Sequence, residues 1–254
     1  MIEIKQLNVQ IAGKEILKDI NFSVEEPSIM GVVGSSGSGK SMMMKAIMGL
    51  LPYNSKVQGE IWYEGDDIID INDKDKTHRK KKFCMLPQDS LNGLHPYETL
   101  EKQMEKTFRL HQVEGGRDKI KFIFKELGLP DDDSFLTSYA RSLSGGMRQR
   151  AAIALCLATE PHVLVADEPT TSLDAVNQLK FINILRKLYS EYHISIIMVS
   201  HNIALVAQIV QKLLVVHHGR IVEEGKTQDI LEHPTDEHTK RLVKGCRGLY
   251  GGWL

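Results

Sequence analysis

The sequence predicts an α/β fold: a mostly parallel sheet, an antiparallel β-lobe at the start, and a helical lobe inserted in the middle. Three observations predict it. Apolar and polar residues alternate over 2–24 around Ala12-Gly13, the period of a hairpin. Short apolar, β-rich runs at 29–33, 163–165 and 194–199 are separated by helical stretches, the order that builds parallel strands. A long, mostly helical segment over 97–129, followed by a helix over 144–157, interrupts that order.

The elements follow in chain order. The run 29–33 is a buried-type strand, 34–41 is small and glycine-rich, and 42–51 is helix-like. Another strand is expected over 59–63 and a short one over 83–86. Between them 74–82 is strongly basic, which reads as a solvated helix end before it reads as nucleic-acid contact. The helical segment closes at Gly128 and Pro130, and 131–134 is a polar break. The strand at 163–165 is closed by Asp167, a helix covers 176–189, and 213–216 and 220–222 flank His218-Gly219 as a second hairpin.

Composition narrows the function classes. A chain of 254 residues can bury a real core, and 42% hydrophobic with 26% charged residues is ordinary for a globular domain. A net charge of −1 gives no global attraction to nucleic acid or anionic lipid. Cys84, Cys156 and Cys246 are far apart, so neither a disulfide framework nor a cysteine zinc site is suggested. The start MIEIKQLNVQ has charges where a signal peptide needs an apolar core, and no apolar run approaches the roughly 20 residues that span a bilayer. Work at a membrane would require holding another protein.

Three motifs carry chemistry. GSSGSGKS, comprising Gly34, Ser35, Ser36, Gly37, Ser38, Gly39, Lys40 and Ser41, fits the phosphate-loop pattern at every fixed position. Its glycines let backbone N–H groups turn inward around phosphate oxygens, Lys40 supplies a cation, and the Ser41 hydroxyl suits Mg²⁺. VLVADEP is an apolar strand ending in two acids: Asp167 suits the metal, and Glu168 suits polarising an attacking water. LSGGMRQR offers Ser144 as a helix cap, with Gly145 and Gly146 leaving the first amides bare. That is a second anion site without a lysine, suited to a γ-phosphate presented by another subunit. Taken alone, it reads first as an ordinary capped helix.

These motifs, in this order, resemble those of the ABC ATPase family. LSGGMRQR is close to that family's signature. Gln88 in PQDS resembles the Q-loop glutamine, a metal and water contact. Asp174 in SLDA resembles the D-loop aspartate, and His201 in VSHN the switch histidine that contacts the γ-phosphate. From its position alone His201 is a histidine at a strand's end, and without the family resemblance it reads first as a solvated loop histidine. The pairs His217-His218 and His233/His238 are better read as solvated than as metal ligands, since no third ligand stands nearby.

The resemblance implies a phosphate-loop NTPase core with an antiparallel β-subdomain over 1–88 and 159–231, a helical subdomain over 89–158, and a short tail over 232–254. It implies catalysis by Glu168, His201 and Gln88. ATP would be held by the loop 34–41, Ser144, Gly145, Gly146 and Asp174, and Mg²⁺ by Ser41, Gln88 and Asp167. It further implies a head-to-tail dimer with a second ATPase subunit, two membrane permeases, an indirectly acting substrate-binding protein, and a place on the cytoplasmic face of the membrane. No nucleic-acid partner is expected. A non-transport ABC ATPase acting on nucleic acid or ribosomes is the rival, but such proteins usually carry two cassettes or a coiled-coil insertion, and no sustained heptads occur here.

Two departures stand out. Ile11 lies where the family usually places an aromatic to stack on adenine, and Pro27-Ser28 replaces the usual Gly-Glu before the loop strand. Within the family, SGGMRQR, ADEPTTSLD, DSLNGLHP over 89–96 and HPTDEHTKRLV over 233–243 resemble ATPases of oligopeptide, dipeptide and nickel importers. The tail GCRGLYGGWL is more like the nickel type, which places a metal or metal chelate slightly ahead of peptide as the expected cargo.

Overall fold

The computed structural model describes residues 1–69, 82–88, 93–171 and 173–250. The expectations for 74–81 of the basic run, for 89–92 of the DSLNGLHP match, for Ser172 and for 251–254 lie outside the described residues. The chain divides into two compact units, Met1–Arg79 with His193–Leu254, and Lys80–Tyr192.

The first unit opens with β1 (Ile2–Ile11) and β2 (Lys14–Val24), antiparallel and turned at Ala12-Gly13 as the alternation requires. Ile2, Ile4, Leu7 and Val9 face inward from β1, and Leu17, Ile20, Phe22 and Val24 from β2. The alternation slips near Gln6 and Asp19, both with positive φ, and the pairing register shifts there. Side-chain amides mend the ladder: Asn21 Oδ1 accepts from the Gln6 N–H at 2.7 Å, and Asn8 Oδ1 from the Asp19 N–H at 2.9 Å. After β3 (Ile29–Val33) and α1 (Lys40–Ile47), β4 (Ser55–Tyr63) returns to pair with β1, and β5 (Asp66–Asp67) pairs with β4. The helix begins two residues before the expected 42 because the glycine-rich loop runs straight into its first turn. It ends before the expected 51, where Gly49 takes φ +65°.

The second unit begins with β6 (Phe83–Leu86). The expected long helical segment is two helices, α2 (Leu100–His111) and α3 (Arg117–Glu126), broken where Gln112 turns left-handed. Thr99 caps α2. Buried Gln103 folds the preceding loop, donating to His95 O and Glu98 O and accepting from the His95 N–H. A short α4 (Asp133–Leu136) sets Phe135 edge-on to Phe124 of α3, with centroids 5.6 Å apart. Then come α5 (Gly145–Leu157), β7 (Val163–Asp167) and α6 (Ala175–Tyr192). Strands β6 and β7 run parallel, with Leu86 opposite Ala166. Helix α6 buries Phe181, Ile182, Leu185 and Leu188, one stripe at helical spacing, and Lys187 joins it to Glu126 of α3 at 2.9 Å.

The chain then returns to the first unit through β8 (Ser195–Ser200), α7 (Ile203–Val206), β9 (Lys212–His217) and β10 (Arg220–Lys226). Strand β3 lies between β8 and β9, parallel to both, and β10 pairs antiparallel to β9. All five residues of β3 and all six of β8 are buried, the near-continuous apolar pattern of strands covered on both faces. Helices α8 (Thr227–Glu232) and α9 (Glu237–Tyr250) follow, so the segment read from sequence only as a tail is largely helical.

Candidate functional site

Parallel strands deliver their loops to one end, and ligands of α/β folds collect there. In the first unit Val33 of β3 stands opposite Ser200 of β8 and Val215 of β9. Gly34, which opens the phosphate loop, and His201, which follows β8, are therefore brought to the same strand ends. His201 is exposed, and Asn202 caps α7 by accepting from the Leu205 N–H at 3.2 Å.

The loop Gly34–Ser41 has a shape that side chains would block. A Cβ at Gly34, where φ is +155°, would lie 2.1 Å from Val216 O, and one at Gly39, where φ is +108°, would lie 3.0 Å from Leu17 Cδ2. The Gly219 N–H donates to Ser38 O at 2.8 Å, tying the loop to the β9–β10 turn. No side chain caps α1, and the positive end of its dipole lies at the loop. Ser38 Oγ is buried without a hydrogen-bond partner. Lys40 is buried, and its Nζ donates to Gly34 O and Ser35 O, both at 2.8 Å. A strand-fed glycine loop leading into a helix with no side-chain cap, an unpartnered Ser38 hydroxyl and a folded-in ammonium fits a polyphosphate. Ile11 ends β1 half-buried opposite Lys14, and the Glu26–Pro27 peptide of the altered turn is cis.

The second unit gathers the other half of the predicted residues. Because Leu86 is opposite Ala166, Gln88 and Asp167 both fall at the carboxyl ends of β6 and β7. Gln88 is exposed and Asp167 buried. Glu168 has φ +46°, a conformation a non-glycine residue holds only when its surroundings enforce it. The Thr171 hydroxyl donates to Glu168 O and to Glu168 Oε2, each at 3.1 Å. Gln88 and Asp167 present side-chain oxygens at these strand ends, the donor type a hard cation such as Mg²⁺ takes. Among the described residues no group of three His, Cys, Asp or Glu is arranged to hold a metal.

Ser144 caps α5 as expected, its Oγ accepting from the Met147 N–H at 3.4 Å, and Gly145 has open space at its Cβ position. Asp174 caps α6. Its carboxylate is held below the usual range by hydrogen bonds from Asn177, first from the backbone and then from the side chain.

Three residues to which the motifs assign no role organise this region. Gln149 donates to Pro169 O, Gln178 to Thr170 O and Leu173 O, and Asn177 to Asp174. Gln149 carried a signal, as a member of the motif LSGGMRQR. Gln178 and Asn177 carried none.

Comparison with known proteins agrees with this geometry. The family model described as ABC transporter matches residues 17–171. The dipeptide transport ATP-binding protein DppD of Haemophilus influenzae is 34% identical over 255 residues, 96% of this chain and 77% of that protein. The metal-staphylopine import system ATP-binding protein CntD of Staphylococcus aureus is 33% identical over 232 residues, 90% of this chain and 86% of that protein. Among solved structures, the ATP-binding cassette MJ0796, a dimer in a post-hydrolysis state bound to ADP and Pi, superposes with a TM-score of 0.76 at 26% identity, covering 89% of this chain and 99% of that one. With its phosphate loop, its paired acids and its signature helix in the family's order, the chain belongs to the ABC transporter family as an ATP-binding subunit and is an ATPase.

Proposed function

We propose that this ATPase powers an importer of small solutes, a metal chelate or a short peptide. The observation that carries the reading is likeness over nearly the whole chain to ATP-binding subunits named for dipeptide and metal-staphylopine transport. Among the described residues no helix is long and apolar enough to cross a membrane. Two permease subunits would therefore form the pathway, with this chain at their cytoplasmic face and a substrate-binding protein delivering cargo. The core and β-subdomain would occupy 1–88 and 159–231, the helical subdomain 89–158, and the tail 232–254.

In the proposed mechanism the amides of 34–41 and Lys40 neutralise the outer phosphates of ATP. Glu168 accepts the proton of the attacking water, and His201 donates to the γ-phosphate. Ser41, Asp167 and Gln88 would hold Mg²⁺, which supplies positive charge against the phosphates. Ser144, Gly145 and Gly146 would complete the site of a second ATPase subunit in a head-to-tail dimer, with Asp174 beside them. Closure excludes water from each site, and hydrolysis reopens the pair.

The test is a deletion strain. Loss of cellular nickel or cobalt identifies metal import, and loss of growth on peptides as sole amino-acid source identifies peptide import. No change in either removes both.

A further inference from the structure

Glu168 occupies a left-handed backbone conformation, and the turn after it is pinned from two helices. Gln149 of α5 is 4% exposed, and its Nε2 donates to the carbonyl of Pro169, the residue that follows Glu168. Gln178 of α6 donates to the carbonyl of Thr170 at 3.3 Å. Thr170 is itself buried, and its carbonyl also accepts from the Leu173 N–H at 3.1 Å. The glutamate therefore stands on a turn whose next two carbonyls are held by side-chain amides from outside the turn.

We propose that Gln149 is a positioning residue for hydrolysis, holding Glu168 in register with the helix that begins at Ser144. The inference rests on Glu168 being the group that accepts the proton from water. A carbonyl left without its buried donor relaxes toward other partners, and the left-handed residue beside it relaxes with it. Gln149 lies one helical turn beyond Gly145, the first residue of α5. A displacement of the α5 tip by nucleotide therefore reaches the Glu168 turn through one side chain, which links the two halves of the machinery within a single subunit.

The experiment uses Gln149→Met in the full chain, which keeps length and burial and removes the donor. Steady-state ATP hydrolysis, equilibrium ATP binding and thermal melting are measured together. The expected result is a fall in kcat of roughly 10-fold or more, within the ~10²-fold that a 1 Å misplacement costs, with KM and ATP affinity changed less than about 2-fold. In a Glu168→Gln background the same substitution should lower the residual rate no further, because Gln149 acts through Glu168. Normal kcat in folded Gln149→Met, or equal losses in kcat and ATP affinity, overturns the inference. Should that variant not fold, Gln178→Met must show the same split between kcat and KM, and an unsplit response there overturns it. Turnover that survives Glu168→Gln removes the role of Glu168 itself, whereas loss in Glu168→Gln beside normal Gln149→Met overturns the positioning role alone.

Discussion

Asn177 holds Asp174 by two hydrogen bonds: its backbone N–H donates to Oδ1 at 2.8 Å, and its Nδ2 donates to Oδ2 at 2.8 Å. The same side chain reaches the signature helix, for a Cβ placed on Gly146 would lie 3.3 Å from Asn177 Oδ1. Asp174 is thereby at once the cap of α6 and the neighbour, through Asn177, of the start of α5. Removing the cap should matter more than removing the side-chain amide. Asp174→Ala is expected to lower the melting temperature, and Asn177→Ala, which keeps the backbone bond, to lower it less. The reverse order in differential scanning calorimetry would refute the capping role.

Lys40→Ala should abolish ATP hydrolysis and leave the fold intact. The ammonium now rests on two loop carbonyls, so its loss frees those groups without opening the apolar core. Lys40→Arg should fail as well, since a planar guanidinium does not replace a compact point charge in a closed loop. Turnover and thermal melting are read on the same samples, and near-normal turnover in a folded Lys40→Ala protein would contradict the assignment.

Glu168→Gln should retain ATP in a closed dimer. The amide matches the carboxylate in size, keeps an oxygen for the Thr171 hydroxyl, and cannot take the proton from water. Gel filtration with ATP should show a species of twice the mass. A variant that stays active moves the base elsewhere, with His201 the next candidate.

The isolated chain should hydrolyse ATP weakly, with a specific activity that rises with protein concentration. Ser144 and the glycines after it serve a nucleotide held by another subunit, so dilution removes part of each site. Full, concentration-independent activity in dilute solution would contradict the composite site.

A pH dependence of stability follows from the histidines at the end of β9. The rings of His217 and His238 stack at 3.8 Å with 17° between planes, and His218 lies 4.0 Å from His217. Burial is the first cause that lowers the pKa of both His217 and His238. The charge of Arg241 and of neighbouring histidines adds to it, and Asp236 opposes it. A histidine whose folded pKa lies below its unfolded value leaves stability complete above about pH 6.5 and lowers it as pH falls toward the folded value. The melting temperature should therefore drop on acidification from pH 7 to 5. His238→Phe, which keeps a ring in the stack, should flatten that drop; an unchanged pH profile would count against it.

Much of this protein was legible in its residues because the relevant physics is local. Alternation over 2–24 specified a hairpin, and β1 and β2 form it. The apolar, β-rich runs at 29–33 and 194–199 specified buried strands, and β3 and β8 are buried throughout. Ser144 stood before a helix and caps it. Where local pattern failed, a competing contact prevailed. The helical segment over 97–129 breaks at Gln112, the period slips at Gln6 and Asp19 where bulges twist the hairpin, and Glu237–Tyr250 folds as a helix where only a tail was read.

The sequence by itself determined the family, the phosphate loop and the order of the strands that carry the motifs. Those depend on residues a few positions apart, on backbone φ, on helix amides and on periodicity. Only the tertiary structure decided what holds the site residues in place. Gln149 meets Pro169 across 20 positions, and Gly219 meets Ser38 across a far longer stretch of chain. Nothing in the linear chain marks the side-chain amide and the backbone N–H that make these contacts, and they acquire direction when packing excludes water from the carbonyls they meet.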